Sequence, residues 1–454
     1  MNAGHETIAA IATAPGEAGI AIVRISGPQA LPIADRVFRC REPLPSARSA
    51  GSFVYGHVHT EGDIDEAILL IYRAPASYTR DDVVEIQCHG GQASVKRVLR
   101  TVLAAGAIPA APGEFTRRAF LSGRIDLLQA EAIMDLIAAR SERAAASAIE
   151  QLEGVLSVNV NLIYDQLVVL GADLEACLDF DEGELPEYTL TQLRQQLTAS
   201  RESLRALASG WNEGHLLRDG ALVVIIGKPN VGKSTLMNRL LGRERAIVTA
   251  TPGTTRDTLE ETFVLNGIPL RLVDTAGLRE ADCAIEQEGI RRARELLKKA
   301  DLTLLMMDGT RILDDEDKAL LEHINPSRTV LVINKIDKGQ KLSESSFTPL
   351  RTVACALHTG VGIEHLKHAM SERLDIQSTM QPHAVISERH HYLIQLADGK
   401  LQDAEQILQD ADESFETLAA LEIREAINHL GQITGRHYHS ELLDSIFSRF
   451  CVGK

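Results

Sequence analysis

The sequence predicts a multidomain protein with an α+β N-terminal domain, an all-α helical domain, and an α/β P-loop domain of the Ras type inserted into the helical one. A length of 454 residues allows about three domains. Short apolar strands punctuated by glycine and proline fill residues 1–120. Apolar residues recur every three or four positions in 121–218 and 379–454, whereas 219–378 carries glycine-rich and polar strings that follow apolar strands. Since helical segments flank the last region, insertion is the simplest architecture.

The elements of the two flanking regions follow from their periodicity. In the first domain, residues 19–25 and 67–72 have the apolar content of strands, and residues 94–105 that of a helix. Residues 125–178 repeat apolar side chains at helical spacing and predict long helices, and a further helix is predicted over 190–208.

The first polar string of the inserted domain runs Gly-Lys-Pro-Asn-Val-Gly-Lys-Ser from Gly227 to Ser234. It follows an apolar strand, 222–226, and opens a helix, 234–241, which is the context that a phosphate-binding P-loop requires. Glycines let the backbone amides turn toward phosphates at a helix N-terminus. We therefore expect Lys233 to reach the outer phosphates and the Ser234 hydroxyl to bind Mg²⁺.

Three more strings complete a guanine-nucleotide pocket: Gly-Thr-Thr-Arg-Asp at 253–257, Asp-Thr-Ala-Gly at 274–277 and Asn-Lys-Ile-Asp at 334–337. A carboxylate at Asp337 can accept two hydrogen bonds from guanine, a pair that adenine does not offer. Each glycine could alone serve a turn, but four strings in this order after apolar strands favour a GTP site. A fifth element, Cys355-Ala356-Leu357, departs from the usual Ser-Ala, so the guanine O6 contact would come from the Ala356 amide.

The residues expected to contact GTP are Asn230, Val231, Gly232, Lys233, Ser234, Thr235, Thr249, Ala250, Thr251, Pro252, Gly253, Thr254, Thr255, Asp274, Thr275, Ala276, Gly277, Asn334, Lys335, Asp337, Cys355, Ala356 and Leu357.

Hydrolysis needs a group to position water, because Leu278 stands where many small GTPases carry a glutamine after Asp-x-x-Gly. The acidic stretch 280–288 offers four carboxylates, and the residues leave the choice open: Glu280, Asp282, Glu286 and Glu288. No arginine finger is identifiable, so a monovalent cation could supply positive charge, held by Asn230 and the loop 249–254. A loop-stabilising Asn230 and a solvated acidic face are equally good interpretations of the residue types alone.

Composition bounds the compartment and the partners. The net charge is −16, which argues against a broad basic surface that holds nucleic acid. The N-terminal sequence does not show a charged segment followed by a long apolar core, and no run of about 18 apolar residues occurs in the sequence. We therefore expect a cytoplasmic protein with no membrane span.

Metal and disulfide signals are weak. The six cysteines form no Cys-x-x-Cys pair, which disfavours a zinc site or a disulfide framework. Three pairs of closely spaced histidines lack cysteine or carboxylate neighbours at the spacing of metal ligands, so we interpret them as ordinary surface or core residues. They are His57, His59, His390, His391, His437 and His439.

Three strings outside the inserted domain identify a family resemblance. Tyr78-Thr79 is followed by Val-Glu-Ile-Gln-Cys-His-Gly-Gly at 84–91, residues 113–131 begin Gly-Glu-Phe-Thr-Arg-Arg, and the chain closes with Phe-Cys-Val-Gly-Lys at 450–454. Together with the nucleotide strings, they resemble the MnmE (TrmE) family of tRNA-modification GTPases over essentially the whole length. Unrelated GTPases share only the central part.

This resemblance implies a homodimer formed through N-terminal domains that bind 5-formyl- or methylene-tetrahydrofolate. Arg24, Glu85, Arg124 and Lys454 match the folate contacts of the family, although Arg124 stands where lysine is frequent. An anionic glutamate tail suits Arg or Lys, and a pterin suits a carboxylate acceptor. For Arg24 alone, a surface salt bridge is the simpler interpretation. Cys451 matches a candidate for the modification chemistry, against the alternative of an incidental thiol.

The resemblance also assigns the GTPase residues. Lys233 and Glu286 are the catalytic candidates, with Glu286 orienting the attacking water through a second water. The implied metal contacts are Asn230, Thr249, Thr251 and Thr254 for K⁺, and Ser234 and Thr255 for Mg²⁺.

The implied activity is GTP hydrolysis that drives conformational change in a complex that adds an aminomethyl or carboxymethylaminomethyl group to C5 of uridine 34 in certain tRNAs. Its implied partner is MnmG (GidA), which uses FAD and NADH, in a heterotetramer or larger assembly. The rival hypothesis is a GTP-switched assembly factor for ribosomes or RNA. Such factors carry a second GTPase unit or an RNA-binding tail, which this sequence lacks.

Overall fold

The computed structural model describes residues 6–177, 187–242, 260–274, 295–322, 324–376, 386–410 and 415–454. The chain divides into two compact units. The N-terminal unit comprises Met1–Met134, Ser157–Tyr164 and Ile427–Lys454, and the nucleotide unit comprises Asp135–Leu156 and Asp165–Ala426. In this division, each of the two predicted helical flanks contributes residues to both units.

The strands in chain order are β1 Ile8–Ile11, β2 Ala18–Ser26, β3 Phe38–Cys40, β4 Phe53–His59, β5 Asp63–Tyr72, β6 Val83–Gly90, β7 Ile108–Pro109, β8 Ala221–Gly227, β9 Glu260–Leu265, β10 Ile268–Asp274, β11 Leu302–Asp308, β12 Thr329–Asn334 and β13 Arg351–Ala354. The helices, numbered over the described residues, are α1 Ala30–Val37, α2 Gln92–Ala104, α3 Glu114–Leu121, α4 Leu127–Ala138, α5 Glu142–Leu152, α6 Val155–Cys177, α7 Glu187–Ser209, α8 Trp211–Asp219, α9 Lys233–Leu241, α10 Asp315–Glu322, α11 Ile363–Arg373, α12 Glu388–Asp410, α13 Phe415–Thr434 and α14 Ser440–Phe447.

The N-terminal unit is built on a seven-stranded sheet in the order β3-β4-β5-β6-β2-β1-β7. Its neighbours are antiparallel except for β1 and β7. Along β4, buried and exposed side chains alternate, as expected for a sheet with one packed face. Helix α2 covers that face with buried Val95, Val98 and Val102, which recur at helical spacing.

Helices α3 and α14 form a second core of the N-terminal unit. Phe120 of α3 packs against Phe447, with ring centroids 6.4 Å apart, and Phe447 packs against Phe450 at 5.4 Å. This aromatic cluster fixes the last residues of the chain, so the C-terminal Cys-Val-Gly-Lys lies on the N-terminal unit.

The predicted helical stretch 125–178 consists of three helices, α4, α5 and α6, of which α6 has 23 residues. The break before α5 has a local cause: the Ser141 hydroxyl accepts a hydrogen bond from the Ala144 amide at 3.1 Å and caps a new helix. Within the described residues, 155–175 is the one stretch long and apolar enough to cross a membrane, by length and composition alone, and 33% of it is buried in the protein.

The nucleotide unit contains a six-stranded sheet in the order β13-β12-β11-β8-β10-β9. Only β9, at the edge, pairs antiparallel with its neighbour. Strands β8, β11 and β12 are buried on both faces, which explains their almost continuous apolar sequences. The register aligns Asp308 with Asn334 and Met306 with Gly227, so the carboxyl ends of β8, β11 and β12 meet at one edge.

Two long helices of the same unit, α7 and α12, are joined by charged side chains. Arg201 donates to Asp398 at 3.0 Å and also pairs with Glu405. Trp211, the single tryptophan, stacks between His215 and His391 at the start of α8, with ring centroids 5.0 and 4.9 Å away. Since α8 leads directly into β8, this tryptophan is a natural spectroscopic reporter of the nucleotide unit.

Candidate functional site

The P-loop lies between β8 and α9, as the sequence predicts. Gly232 has a φ of +110°, and a Cβ on it would come within 2.5 Å of the Asn334 Nδ2 atom, so only glycine fits there. Lys233 is 7% exposed, and its Nζ donates to the carbonyls of Gly227 and Lys228 at 2.8 Å each. Its ammonium is therefore already held inside the loop that would receive phosphates.

The polar residues on either side of Lys233 are exposed to solvent. Asn230 is exposed and has a φ of +63°, and the side chains of Ser234 and Thr235 are exposed at the start of α9. A helix N-terminus with free-facing hydroxyls next to a buried ammonium is suited to phosphate and to an oxygen-liganded metal such as Mg²⁺.

Asn334 ties the P-loop to the base-recognition loops. It is 4% exposed, its Nδ2 donates to the Val231 carbonyl at 2.7 Å, and its Oδ1 accepts from the Leu357 amide at 3.1 Å. Three of the predicted nucleotide strings are thus connected through one buried amide.

Lys335 and Asp337 occupy the loop after β12. Lys335 has a φ of +66°, and its Nζ donates to Asp308 Oδ2 at 2.7 Å. Burial raises the pKa of Asp308, but the hydrogen bonds from Lys335 and Thr310 outweigh it and lower that pKa to about 2. Asp337 is exposed, so its carboxylate is accessible to a base.

The fifth predicted element follows strand β13. The Ala356 amide, expected to meet the guanine O6 atom, donates to the Val361 carbonyl at 3.0 Å. Cys355 is fully buried, and burial raises the pKa of its thiol to about 12, so it is an inert core residue.

Several predicted residues lie outside the described part of the chain. Asp274 ends β10, and its side chain is not described. The others are Thr249, Ala250, Thr251, Pro252, Gly253, Thr254, Thr255, Thr275, Ala276, Gly277 and Glu286, with the alternatives Glu280, Asp282 and Glu288.

A second polar cluster lies in the N-terminal unit, on β2 and β6. The antiparallel register places Arg24 opposite Glu85, and Arg24 Nε donates to Glu85 Oε1 at 2.8 Å. The two side chains are 17% and 13% exposed. Arg24 also donates to the Gly453 carbonyl at 3.4 Å, which brings the end of the chain to the pair.

Tyr78 connects this pair to Arg124. The Arg124 guanidinium lies 4.8 Å and the Arg24 guanidinium 5.7 Å from the centre of the Tyr78 ring. The Tyr78 hydroxyl is hydrogen bonded to Thr116 at 2.9 Å, which fixes the ring. The sequence analysis names Tyr78 as part of a family motif but predicts no role for it. The available signal was an aromatic residue in a motif of the same family whose folate contacts match Arg24 and Arg124.

Lys454 completes the cluster. Burial and the neighbouring Arg24 lower the pKa of Lys454. Gly453, with a φ of +99°, passes so close to β1 that a Cβ would meet the Ile11 carbonyl oxygen at 2.3 Å, which is why glycine precedes this lysine. Three cations around a single carboxylate leave positive charge that an anionic ligand would neutralise.

The remaining candidates have ordinary surroundings. Cys451 is exposed, and its carbonyl accepts from the amides of Gly113 and Lys454 at 3.4 and 3.3 Å. His391 packs on Trp211, and His437 is hydrogen bonded to the Tyr164 hydroxyl at 3.0 Å. In the described ranges there is no group of three or more His, Cys, Asp or Glu side chains arranged to hold a metal ion.

Comparison with known proteins places the chain in one family. Residues 7–124 match the family described as "GTP-binding protein TrmE N-terminus", and residues 127–451 match "MnmE helical domain". The tRNA modification GTPase MnmE of Geobacter sulfurreducens is 43% identical over 461 residues, covering 99% of both chains. The MnmE of Alkaliphilus oremlandii is 40% identical over 460 residues, again with 99% of each chain.

The chain belongs to the MnmE family of tRNA modification GTPases. The predicted fold class is confirmed: an α+β N-terminal domain of the TrmE type, a helical domain and a P-loop GTPase domain. Like its MnmE relatives, it is a GTPase. Among solved structures, the G domain of the Thermotoga maritima FeoB iron transporter is 28% identical, covers 34% of this chain and 98% of its own, and has a TM-score of 0.27.

Proposed function

We propose that this MnmE protein acts in the cytoplasm on the wobble uridine, position 34, of certain tRNAs. It hydrolyses GTP with K⁺ and Mg²⁺ in a complex that adds an aminomethyl or carboxymethylaminomethyl group to C5 of the base and uses a folate one-carbon unit to do so. The protein is a homodimer through its N-terminal domains. Its partner is MnmG, which contributes FAD and NADH in a heterotetramer or larger complex.

The juxtaposition of Arg24, Glu85 and Lys454 carries this proposal. Arg24 and Glu85 are 61 positions apart, and Gly453, which precedes Lys454, is 429 positions from Arg24, yet all of them lie together in the N-terminal unit. The cations suit the carboxylates of a folate tail, and Glu85 suits the donors of a pterin. A reduced folate, when bound, would supply the one-carbon unit. The role of these residues is to hold it beside the exposed Cys451.

In this proposal, GTP hydrolysis at the nucleotide site causes the conformational change. Lys233 is in place for the outer phosphates, and Asp337 is open for the base. On this proposal, hydrolysis drives a conformational change and is not a step in forming the base adduct. The rival function, a GTP-switched assembly factor, gives no role to the Arg24–Glu85 pair.

The deciding experiment compares wobble-uridine nucleosides by mass spectrometry in cells with a working copy of this chain, without it, and with Glu85→Gln in its place. We expect the strain without the chain to lose the 5-substituted uridine, and the Glu85→Gln strain to accumulate the unmodified base. Unchanged nucleosides in all three strains would favour the assembly factor. A GTPase assay on purified Glu85→Gln protein serves as the control, and its rate should match that of the wild type.

Potassium dependence is a first prediction for the nucleotide site. Asn230 offers an amide oxygen at the P-loop, and an ion held there would add positive charge beside the β- and γ-phosphates. Replacing K⁺ by Na⁺ should slow hydrolysis by about 10²-fold, the typical effect of losing one electrostatic contact in a transition state. Phosphate release at fixed ionic strength measures this effect.

The matched control is Asn238→Ala, an exposed asparagine of α9, which should keep the K⁺ preference. Asn230→Ala should abolish it, leaving equal rates in both salts at the lower level. Equal rates in K⁺ and Na⁺ for the wild type would refute the cation assignment.

Glu286 is the proposed residue that orients the attacking water through a second water. Glu286→Ala should leave GTP affinity unchanged and lower the single-turnover rate by about 10²- to 10³-fold, the usual contribution of a positioned acid or base. Glu288→Ala, two residues away in the same acidic stretch, is the matched control. If Glu286→Ala keeps its turnover, the role moves to Glu280, Asp282 or Glu288.

A further inference from the structure

An acidic loop that carries none of the nucleotide strings contacts two of the loops that do. This segment, residues 308–317, joins β11 to the first turn of α10 and is called the acidic loop here. At one end, Asp308 accepts from Lys335 of the base-recognition loop at 2.7 Å. At the other end, Asp314, Glu316 and Asp317 face Lys228 of the P-loop.

Lys228 is embedded in this group of carboxylates. Its Nζ pairs with Asp314, lies 3.2 Å from Glu316 Oε2 and lies 3.4 Å from Asp317 Oδ2. The Lys228 side chain is 11% exposed, and that of Asp317 is 4% exposed. The Lys228–Asp317 contact therefore joins partly desolvated charges, for which the interaction energy exceeds that of a surface pair, whereas Asp314 and Glu316 are 49% and 83% exposed and are screened by solvent.

The partner carboxylates are rigidly placed. The Asp317 amide donates to Asp314 Oδ1 at 3.1 Å, and the Asp314 amide donates to Asp317 Oδ2 at 3.3 Å, which is a reciprocal capping box at the start of α10. Arg311 contacts both aspartates, at 3.0 and 3.3 Å. The acidic end of α10 thus stays in one place whether or not Lys228 is charged.

Lys228 is also part of the phosphate cradle through its backbone. Its carbonyl accepts from the Lys233 Nζ at 2.8 Å, together with the Gly227 carbonyl at 2.8 Å. The side chain of Lys228 therefore anchors, on α10, the peptide that holds the phosphate-binding ammonium. Lys228 therefore contacts the three carboxylates through its side chain and the phosphate-binding lysine through its backbone.

We propose that Lys228 determines nucleotide specificity: its ammonium offsets the negative field of the acidic loop at the phosphate site and thereby favours binding of GTP over GDP. The inference goes beyond the proposed tRNA function and depends only on the nucleotide site. A triphosphate carries one more negative charge than a diphosphate, so an uncancelled acidic loop repels GTP more strongly than GDP.

The test measures GTP and GDP affinities, kcat and KM of the full-length protein with Mg²⁺ at fixed K⁺. Lys228→Met should weaken GTP binding about 10-fold and GDP binding about 3-fold, as expected for one charge removed at roughly 8–10 Å in a high-dielectric surrounding. The loss should appear in KM more than in kcat. Raising ionic strength with tetramethylammonium chloride should bring the GTP and GDP losses together, because ~0.5 M salt screens charges beyond a few Å.

Three further variants separate charge from shape. Lys228→Arg keeps the charge and should keep both affinities. Lys228→Met combined with Asp314→Asn removes one carboxylate but retains a good helix cap, and it should restore most of the GTP preference. Lys318→Met, which removes an exposed lysine of α10 paired with Asp315 at 3.0 Å, is the matched control and should have no effect.

Equal losses of GTP and GDP affinity in Lys228→Met, insensitive to salt and not restored by Asp314→Asn, would overturn the proposal and leave Lys228 as a shape-determining residue of the loop. Wild-type affinities in Lys228→Met would overturn it as well. If Lys228→Met does not fold, the same comparisons are made with Lys228→Gln, whose uncharged side chain is about as long as that of methionine and offers an amide donor to the carboxylates. Suppose instead that the variants change the GTP and GDP affinities as expected, but wobble-uridine nucleosides are the same with and without the chain. That result would count against the proposed function alone.

Discussion

Asp337→Asn should lower GTP affinity by about 10²- to 10⁴-fold and raise affinity for xanthosine triphosphate. The carboxylate accepts two hydrogen bonds from guanine, each worth about 1.5–3 kcal/mol when the acceptor is charged, and both are lost or weakened in the amide. An asparagine side chain offers one acceptor and one donor. Xanthine presents a matching N1–H donor and a 2-carbonyl acceptor.

Competition titrations with GTP, ATP and xanthosine triphosphate measure this change of specificity. Asp337→Ala is the control: it should lose GTP without gaining the xanthine nucleotide. Asp337 is exposed at the end of the described base loop, so the substitution leaves the core untouched. Unchanged GTP affinity in Asp337→Asn would show that another residue selects the base.

The strand ends of the nucleotide unit were predictable from the sequence. Polar strings follow the apolar runs of β8, β10 and β12, and parallel strands bring their carboxyl ends to one edge of the sheet. Both the period of the apolar residues and the position of the polar string are local properties. Local patterns fix such elements well, because burial on both faces leaves few alternatives for these strands.

Contacts between distant residues were not predictable in the same way. Lys228 pairs with Asp314, which is 86 positions away, and neither the residue types nor their spacing predicts this ion pair. Arg24 meets Glu85 across 61 positions, and only the register of β2 with β6 makes them neighbours. The family resemblance put Arg24 and Glu85 in one site, whereas residue patterns alone left Arg24 as a surface salt bridge.

The division of the helical segments was also hidden. Apolar spacing shows that a helix has a buried stripe but not which partner buries it. The last residues, 427–454, pack into the N-terminal unit, and 386–410 pack against α7 in the nucleotide unit. Ala356 illustrates the same limit on a smaller scale, since its amide is taken by Val361 in a turn that the sequence did not reveal.

Asn334→Ala should destabilise the nucleotide unit and remove GTP binding together. The buried amide satisfies the Val231 carbonyl and the Leu357 amide at once, and each buried group left without a partner costs about 1–3 kcal/mol. We therefore expect a loss of about 2–4 kcal/mol in the free energy of unfolding, in addition to the loss of the predicted base contact. Urea unfolding followed by Trp211 fluorescence measures the first effect, because Trp211 precedes β8 in the same unit.

Asn325→Ala provides the matched control for this substitution. Asn325 is exposed, and its side chain accepts from the Ser327 amide at 3.1 Å as a cap of a short 3₁₀ turn, so its loss should cost about 1 kcal/mol and leave GTP affinity unchanged. A urea midpoint for Asn334→Ala no lower than that of the control would mean that water replaces the amide. In that case the P-loop and the base loop would be coupled by the Lys228 and Lys335 ion pairs of the acidic loop and not by Asn334, since those pairs contact the same two loops.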